Sequence, residues 1–126
     1  MYRIGKQFRF EAAHALPGLP EGHKCGRVHG HGYMVEVTLT TTDVLSGPGF
    51  VVDFAELAPL GEYLNTTFDH RDLNVVLDVP ATSEHLARHL YCWCVEHLDL
   101  PGSVRVERVR VSETASTFAE YAPALS

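Results

Sequence analysis

The spacing of apolar positions changes several times along the chain, and each change marks an element. Aromatic and small residues recur through residues 2 to 13, and in "YMVEVTLTT" Tyr33, Val35, Val37 and Leu39 fall on one side while Met34, Glu36, Thr38 and Thr40 fall on the other. A period of two belongs to a strand with one buried face. After the "SGPG" turn and the extended "FVVDF", Asp53 followed three residues later by Glu56 has the form of a capping box. It predicts a helix to about Phe68, with Pro59 kinking it or shortening its first part. "TSEHLARHLYCWCVEHL" has the clearest helical period: Leu86, Leu90, Trp93, Cys94 and His97 form one stripe, and Thr82 or Ser83 is the N-cap. Leu100, Pro101 and Gly102 end it. In "VRVERVRV" Val104 and Val106 share one face and Val109 and Val111 the other, so a one-residue bulge near Glu107 or Arg108 is needed to keep the apolar face continuous. A short final strand is expected around Thr117 to Tyr121. This order of elements predicts an α+β domain, an antiparallel four-stranded sheet with two helices on one face.

Composition narrows the class. The 126 residues fit a single domain over 1–126, long enough to bury about two-thirds of its unfolded surface. No apolar run approaches the roughly 20 residues that span a bilayer, so a soluble protein is expected. "MYRIGKQFRF" alternates polar and apolar residues without a continuous apolar region, which predicts a cytoplasmic protein rather than a secreted one. Cys25, Cys92 and Cys94 are an odd number in a chain able to fold unaided, so they read as thiols. A net charge of −6 offers no general footprint for nucleic acid or an anionic membrane. Any anionic ligand must be met locally.

The densest chemistry lies in "KCGRVHGHGY", Lys24 to Tyr33. His29 and His31 stand at the entrance of the Tyr33 strand, and positions i and i+2 of an extended chain point to one side about 6.6 Å apart, so both rings can reach one metal ion. Gly30 and Gly32 leave the backbone room for close approach. A catalytic zinc takes three protein donors and keeps a fourth position open. His14, in "FEAAHAL" at the end of the first strand, is the third candidate, because an antiparallel neighbour would carry it beside the pair. The alternative is a His-Gly-His turn with His14 as a satisfied polar residue.

Other reactive residues carry weaker signals. His85 and His89 lie four apart on a helix, but Leu86 stands where a zincin pair needs glutamate, so a solvated helix face is expected. Cys92 and Cys94 are about 200° apart around the same helix and cannot share an ion. They read as core or near-core thiols. His23 and His97 have no partner at informative spacing. Cys25 precedes His29 by four residues, beside Lys24 and Arg27, cations that favour the reactive thiolate. It is either a fourth zinc ligand closing the site or a base or nucleophile facing whatever zinc binds. In "FDHRDLN" Asp69 directly precedes His70, either in a plain turn or as an acid/base unit whose carboxylate orients the imidazole.

Six motifs, "FEAAHAL", "CGRVHGHGYMV", "VVDFAEL", "FDHRDLN", "TSEHLA" and "VSET", occur in the order and spacing of the 6-pyruvoyltetrahydropterin synthase family, from about residue 4 to residue 121. The chain resembles that family and, within it, the bacterial branch that makes 6-carboxy-5,6,7,8-tetrahydropterin. The resemblance implies a tunnelling (T-) fold whose subunit sheets join into an oligomeric barrel, in a homohexamer of two trimers. It implies zinc on His14, His29 and His31, and Cys25 as catalytic base. Asp69 and His70 would be a proton relay from a neighbouring subunit, and Glu113 the anchor of the pterin. The implied activity is that of a carbon–carbon lyase. It converts 7,8-dihydroneopterin triphosphate to 6-carboxytetrahydropterin, acetaldehyde and triphosphate in 7-deazaguanine synthesis, for queuosine or a related deazapurine.

These roles suit the residue types. A pterin presents a ring N–H beside an exocyclic amino group, and one carboxylate such as Glu113 can accept from both. Lys24, Arg27 and Arg71 are the local cations available to a triphosphate. The three-residue spacer between Cys25 and His29 resembles the carboxy branch, whereas the sibling activity, elimination to 6-pyruvoyltetrahydropterin, goes with a longer one. A non-catalytic zinc- and pterin-binding assembly protein is the remaining alternative, disfavoured because a structural zinc needs none of Asp69, His70 and Glu113. Two departures from the family pattern stand out. "VPATSE" inserts Ala81 between Pro80 and Thr82, and "ASTFAEY" lacks a cysteine expected after Glu113 and Thr114. On the sequence, neither touches a proposed metal ligand or proton-transfer residue.

Overall fold

Alternation of buried and exposed side chains builds the sheet. In the computed structural model, which describes residues 1–124, strand β1 (Tyr2–His14) and strand β2 (His29–Thr41) pair antiparallel along their whole length. Tyr33, Val35, Val37 and Leu39 are buried, as their period dictates. Strand β4 (Arg105–Thr114) pairs with β2, and strand β5 (Thr117–Tyr121) with β4. The register slips between Thr38, opposite Arg108, and Leu39, opposite Val106, which leaves Glu107 as the extra residue of a bulge. The bulge restores the apolar face, since Val106, Val109 and Val111 are all buried.

One strand was not legible in the pattern. Strand β3, Arg71–Asp72, runs parallel to β1 at Ala12 and Ala13, so the sheet is mixed and five-stranded, in the order β3-β1-β2-β4-β5, rather than four antiparallel strands. Two residues carry no period, and this pairing is set by backbone ties to Glu11. Among the described residues β3 covers only the end of β1, so the edge from Tyr2 to Glu11 stays open, as does the far edge of β5.

Helices close one face of the sheet. Asp53 caps a 3-10 turn, Phe54–Leu57, by accepting from the Ala55 N–H at 2.9 Å. Helix α1 (Ala58–Thr67) follows, with Pro59 in its first turn, where its missing N–H breaks no bond. The element therefore splits before Pro59 instead of bending at it. Gly61 lets α1 approach β1, since a Cβ there would come within 2.9 Å of Phe8 Cε1. A single turn, α2 (Leu73–Val76), is capped by Asp72. Helix α3 (Ser83–His97) starts at Thr82, whose hydroxyl accepts from the His85 N–H at 3.1 Å. Leu57, Leu60 and Leu64 of the first helical segment and Leu86 and Leu90 of α3 are fully buried, with α1 lying over β1 and α3 over β4 and β5. Each contributes about 1.5–3 kcal/mol.

The α3 stripe differs in detail from its sequence pattern. Leu86, Ala87, Leu90 and Cys94 are buried, but His97 is exposed in the last turn, where its ring stacks on Trp93 at 4.9 Å. Cys94 is a core thiol, pushed up to about 12 by burial, whereas Cys92 is exposed. His85 is exposed as expected of a solvated face. His89 is not: it is half-buried, bonded to the Tyr63 hydroxyl of α1 at 2.7 Å, and burial lowers its pKa.

Candidate active site and metal centre

Strand parity delivers the three histidines to one point. His14 shares the inward face of β1 with Phe10 and Ala12, and His29 and His31 share the inward face of β2 with Tyr33. Register sets His14 opposite His29 and Ala12 opposite His31. "HGHGY" is therefore strand, not turn, and the ligand atoms of His14, His29 and His31 all lie within 4.8 Å of one another. Their ring centroids stand 4.5, 5.0 and 4.8 Å apart, with the rings edge to face.

The backbone orients these rings. His14 Nδ1 bonds the Ala81 carbonyl and His29 Nδ1 the Arg27 carbonyl, each at 2.7 Å, which leaves each Nε2 for the cluster. Such bonds fix the tautomer of a metal-binding histidine. His14 is fully buried, and the Nε2 atoms of His14 and His31 are buried without a hydrogen-bond partner. Burial first, with His14 and His29 adding to it, holds the His31 ring below the usual histidine range against an opposing pull from Glu113. Neutral imidazole is the form that binds metal. Three converging ring nitrogens, two of them buried without a partner, fit a metal ion.

Ala81, the residue inserted relative to the family pattern, thus does touch a candidate ligand. It is buried, and its carbonyl is the partner of His14. A backbone contact of this kind leaves no mark in side-chain chemistry, so the sequence did not reveal it.

Glu113, near the end of β4, lies beside the cluster. Its Oε2 is 3.5 Å from His31 Nε2, and its Oε1 accepts from the Ser83 hydroxyl at 2.7 Å. Ser83 therefore does more than begin α3: it fixes one oxygen of this carboxylate. Tyr33 is buried beside the rings of His14 and His31, with its hydroxyl unpartnered. Burial, and then the charge of Glu113, raise its pKa, so the phenol keeps its proton.

Cys25 is partly exposed in a 3-10 turn, Lys24–Gly26. It lines a cavity of about 450 Å³ together with Lys24, Arg27, Val28, His29 and His31, and among the described residues the metal-binding group is His14, His29 and His31 without it. His23, which offered no signal by spacing, caps this turn: its Nδ1 accepts from the Cys25 N–H at 3.1 Å.

Asp69 and His70 form the expected pair, Oδ2 to Nδ1 at 2.9 Å. The other oxygen, Asp69 Oδ1, accepts from the Glu11 N–H at 2.9 Å, and the His70 N–H donates to the Glu11 carbonyl. The bond from the Glu11 N–H, ahead of the His70 contacts, holds the Asp69 carboxyl below its usual range. His70 has φ of 59°, a left-handed conformation uncommon outside glycine. Its side chain is 78% exposed and lines a different cavity, of about 500 Å³, with Glu11, Gly32, Arg71 and Asp72. Among the described residues, only His31 lines both cavities. One chain thus sets Cys25 with His29 and His31 at one cavity, with Glu113 against His31, and His70, bonded to Asp69, at another. Lys24 and Arg27 accompany Cys25, and Arg71 accompanies His70.

Known proteins share this arrangement of elements. The chain is 39% identical to a 6-carboxy-5,6,7,8-tetrahydropterin synthase of Synechocystis, covering 100% of this chain and 98% of that one. It is 35% identical to a putative 6-carboxy-5,6,7,8-tetrahydropterin synthase of Archaeoglobus fulgidus, over 93% and 92% of the two chains. The solved 6-pyruvoyl tetrahydropterin synthase of Caenorhabditis elegans superposes with a TM-score of 0.82 at 25% identity, covering 98% of this chain and 96% of that one. Residues 3–124 match the model of the 6-pyruvoyl tetrahydropterin synthase family. With the fold, the histidine triad and the sequence pointing the same way, the chain belongs to the 6-pyruvoyl tetrahydropterin synthase family.

Proposed function

We propose that this protein is a zinc-dependent carbon–carbon lyase that converts 7,8-dihydroneopterin triphosphate and water to 6-carboxy-5,6,7,8-tetrahydropterin, acetaldehyde and triphosphate, a step toward 7-deazaguanine compounds. The observation that carries the reading is the cluster of His14, His29 and His31, in which His29 and His31 line a cavity with Cys25 and His31 meets the carboxylate of Glu113. The names of the Synechocystis and Archaeoglobus relatives support the choice of reaction.

His14, His29 and His31 would hold the zinc, since three imidazoles with a fourth position open suit a catalytic zinc. When bound, the metal supplies a Lewis acid that polarises the oxygens of the substrate side chain. Glu113 binds the pterin through its paired donors, with Ser83 fixing the carboxylate. Cys25 takes a proton from the side chain as base. His70, oriented by Asp69, moves the second proton through Nε2, because Nδ1 is engaged by the carboxylate. Lys24, Arg27 and Arg71 meet the triphosphate.

The site is completed by assembly. The open edge of β1 from Tyr2 to Glu11 and that of β5 expose unpaired backbone groups, and pairing between copies would satisfy them. We infer a homohexamer in which the Asp69–His70 pair of one subunit serves the metal wall of a neighbour. The three-residue spacer from Cys25 to His29 favours cleavage over elimination, because it sets where the sulfur stands relative to the substrate hydroxyls. Incubation of the zinc-loaded protein with 7,8-dihydroneopterin triphosphate should give equal amounts of 6-carboxytetrahydropterin and acetaldehyde, read by mass spectrometry and a coupled aldehyde assay. A 6-pyruvoyl product without acetaldehyde would overturn the choice of reaction.

A further inference from the structure

We propose that His23 is a positioning residue for the Cys25 sulfur, tethering through its ring nitrogen the single turn that carries it. The proposal rests on the catalytic reading of Cys25. None of the three residues of the Lys24–Gly26 turn is buried, so apolar packing does not fix the thiol and hydrogen bonds must. Four hold the turn. His23 Nδ1 accepts from the Cys25 N–H at 3.1 Å, and the Cys25 carbonyl accepts from the Leu16 N–H at 2.9 Å. The His23 carbonyl accepts from the Gly26 N–H at 2.9 Å, and the Lys24 carbonyl from the Arg27 N–H at 3.3 Å. His23 supplies two of the four, and its own N–H is anchored on the Pro20 carbonyl at 3.0 Å.

The turn also reaches the metal wall. Arg27 closes it, and the Arg27 carbonyl is the group that orients His29 through Nδ1. A displacement at residue 25 therefore moves the sulfur relative to the metal wall. The ring of His23 does the work usually given to Ser, Thr, Asp or Asn at an N-cap, accepting from the N–H two residues on. It does so only with the Nδ1 lone pair free, so the ring proton sits on Nε2. An asparagine offers an equivalent acceptor; a leucine of similar bulk offers none.

The test uses the full-length, zinc-loaded protein with two readouts. One is the rate at which iodoacetamide alkylates Cys25, followed by peptide mass spectrometry with the exposed Cys92 as internal control. The other is steady-state turnover of 7,8-dihydroneopterin triphosphate. His23→Leu should change the Cys25 alkylation rate at least about fivefold and lower kcat about tenfold, with KM within about twofold and zinc content unchanged. His23→Asn should bring both rates back to within about threefold of the parent protein. Unchanged alkylation and kcat in His23→Leu would overturn the tether, and so would a His23→Asn variant as impaired as His23→Leu. Full turnover in Cys25→Ala would instead remove the catalytic reading of Cys25, with the alkylation comparison still deciding whether His23 holds the turn.

Discussion

The metal wall and the groups expected to move protons are held by different means. His14, His29 and His31 project from two strands of 13 residues each, paired end to end, and two of the rings are locked by backbone carbonyls. Cys25 rides on a three-residue turn, and His70 sits in a left-handed conformation beside a strand of two residues. Metal donors that must converge within a few tenths of an ångström belong on rigid elements. The thiol and the imidazole instead depend on a few named hydrogen bonds, several of them to Glu11 or His23. The difference also divides the machinery in space, since Cys25 and His70 line separate cavities of the same chain.

Removing a metal donor should break the comparison most completely. His31→Ala or His29→Ala is expected to take zinc from about one per chain to nearly none, because two imidazoles make a poor site. Metal analysis of the purified variants decides it, and full retention in both would remove the three-histidine assignment. Activity should vanish with the metal.

On the other side of the comparison, Cys25→Ala and His70→Ala should keep zinc and fold while losing at least about 100-fold in turnover, the usual scale of a missing acid or base. Loss of zinc from Cys25→Ala would instead make the cysteine a fourth ligand. Glu113→Gln tests a smaller effect. Replacing a charge-assisted contact by a neutral one should raise KM for the pterin about tenfold and move kcat less. An unchanged KM would detach Glu113 from pterin binding.

The smallest expected effect lies outside the site. Burial lowers the pKa of His89 in the folded protein, opposed in part by Asp78. An unfolded histidine titrates near 6.5, so on acidification the unfolded chain takes up its proton first. Stability contributed by the neutral ring is thus present above about pH 6.5 and is lost as the pH falls below it toward the folded value. His89→Gln should flatten this part of the profile of thermal midpoint against pH. An unchanged slope would mean that His89 is not the group responsible.

The elements that positioned the metal wall were legible because they are long. Thirteen residues of β2 display a period of two, and the same parity that buries Tyr33 and Val35 places His29 and His31 on the inward face. The phase change in "VRVERVRV" likewise narrowed the bulge to Glu107 or Arg108, and the pairing register puts it at Glu107. β3 and α2 were not legible, because two and four residues carry no period. Misread residues failed for a common reason: their partners come from elsewhere in the chain. His89 looked solvated on its own helix, but Tyr63 of α1 covers it. Ala81 acts through its backbone carbonyl, which His14 reaches from the far side of the chain. His23 is the local exception: its ring takes the Cys25 N–H two residues on, the place where a cap is ordinarily Ser, Thr, Asp or Asn.

The central claim is that the metal wall of one subunit and the Asp69–His70 pair of another make a single site, and complementation between two inactive variants tests it most directly. Cys25→Ala and His70→Ala, each nearly inactive alone, are co-expressed with different tags, and mixed assemblies are purified through both. In such assemblies some interfaces pair an intact Cys25 with an intact His70, so the account predicts that 6-carboxytetrahydropterin formation returns to well above the level of either parent. Mixed assemblies that contain both chains and stay as inactive as the parents would contradict it, and would place both residues in the site of one chain.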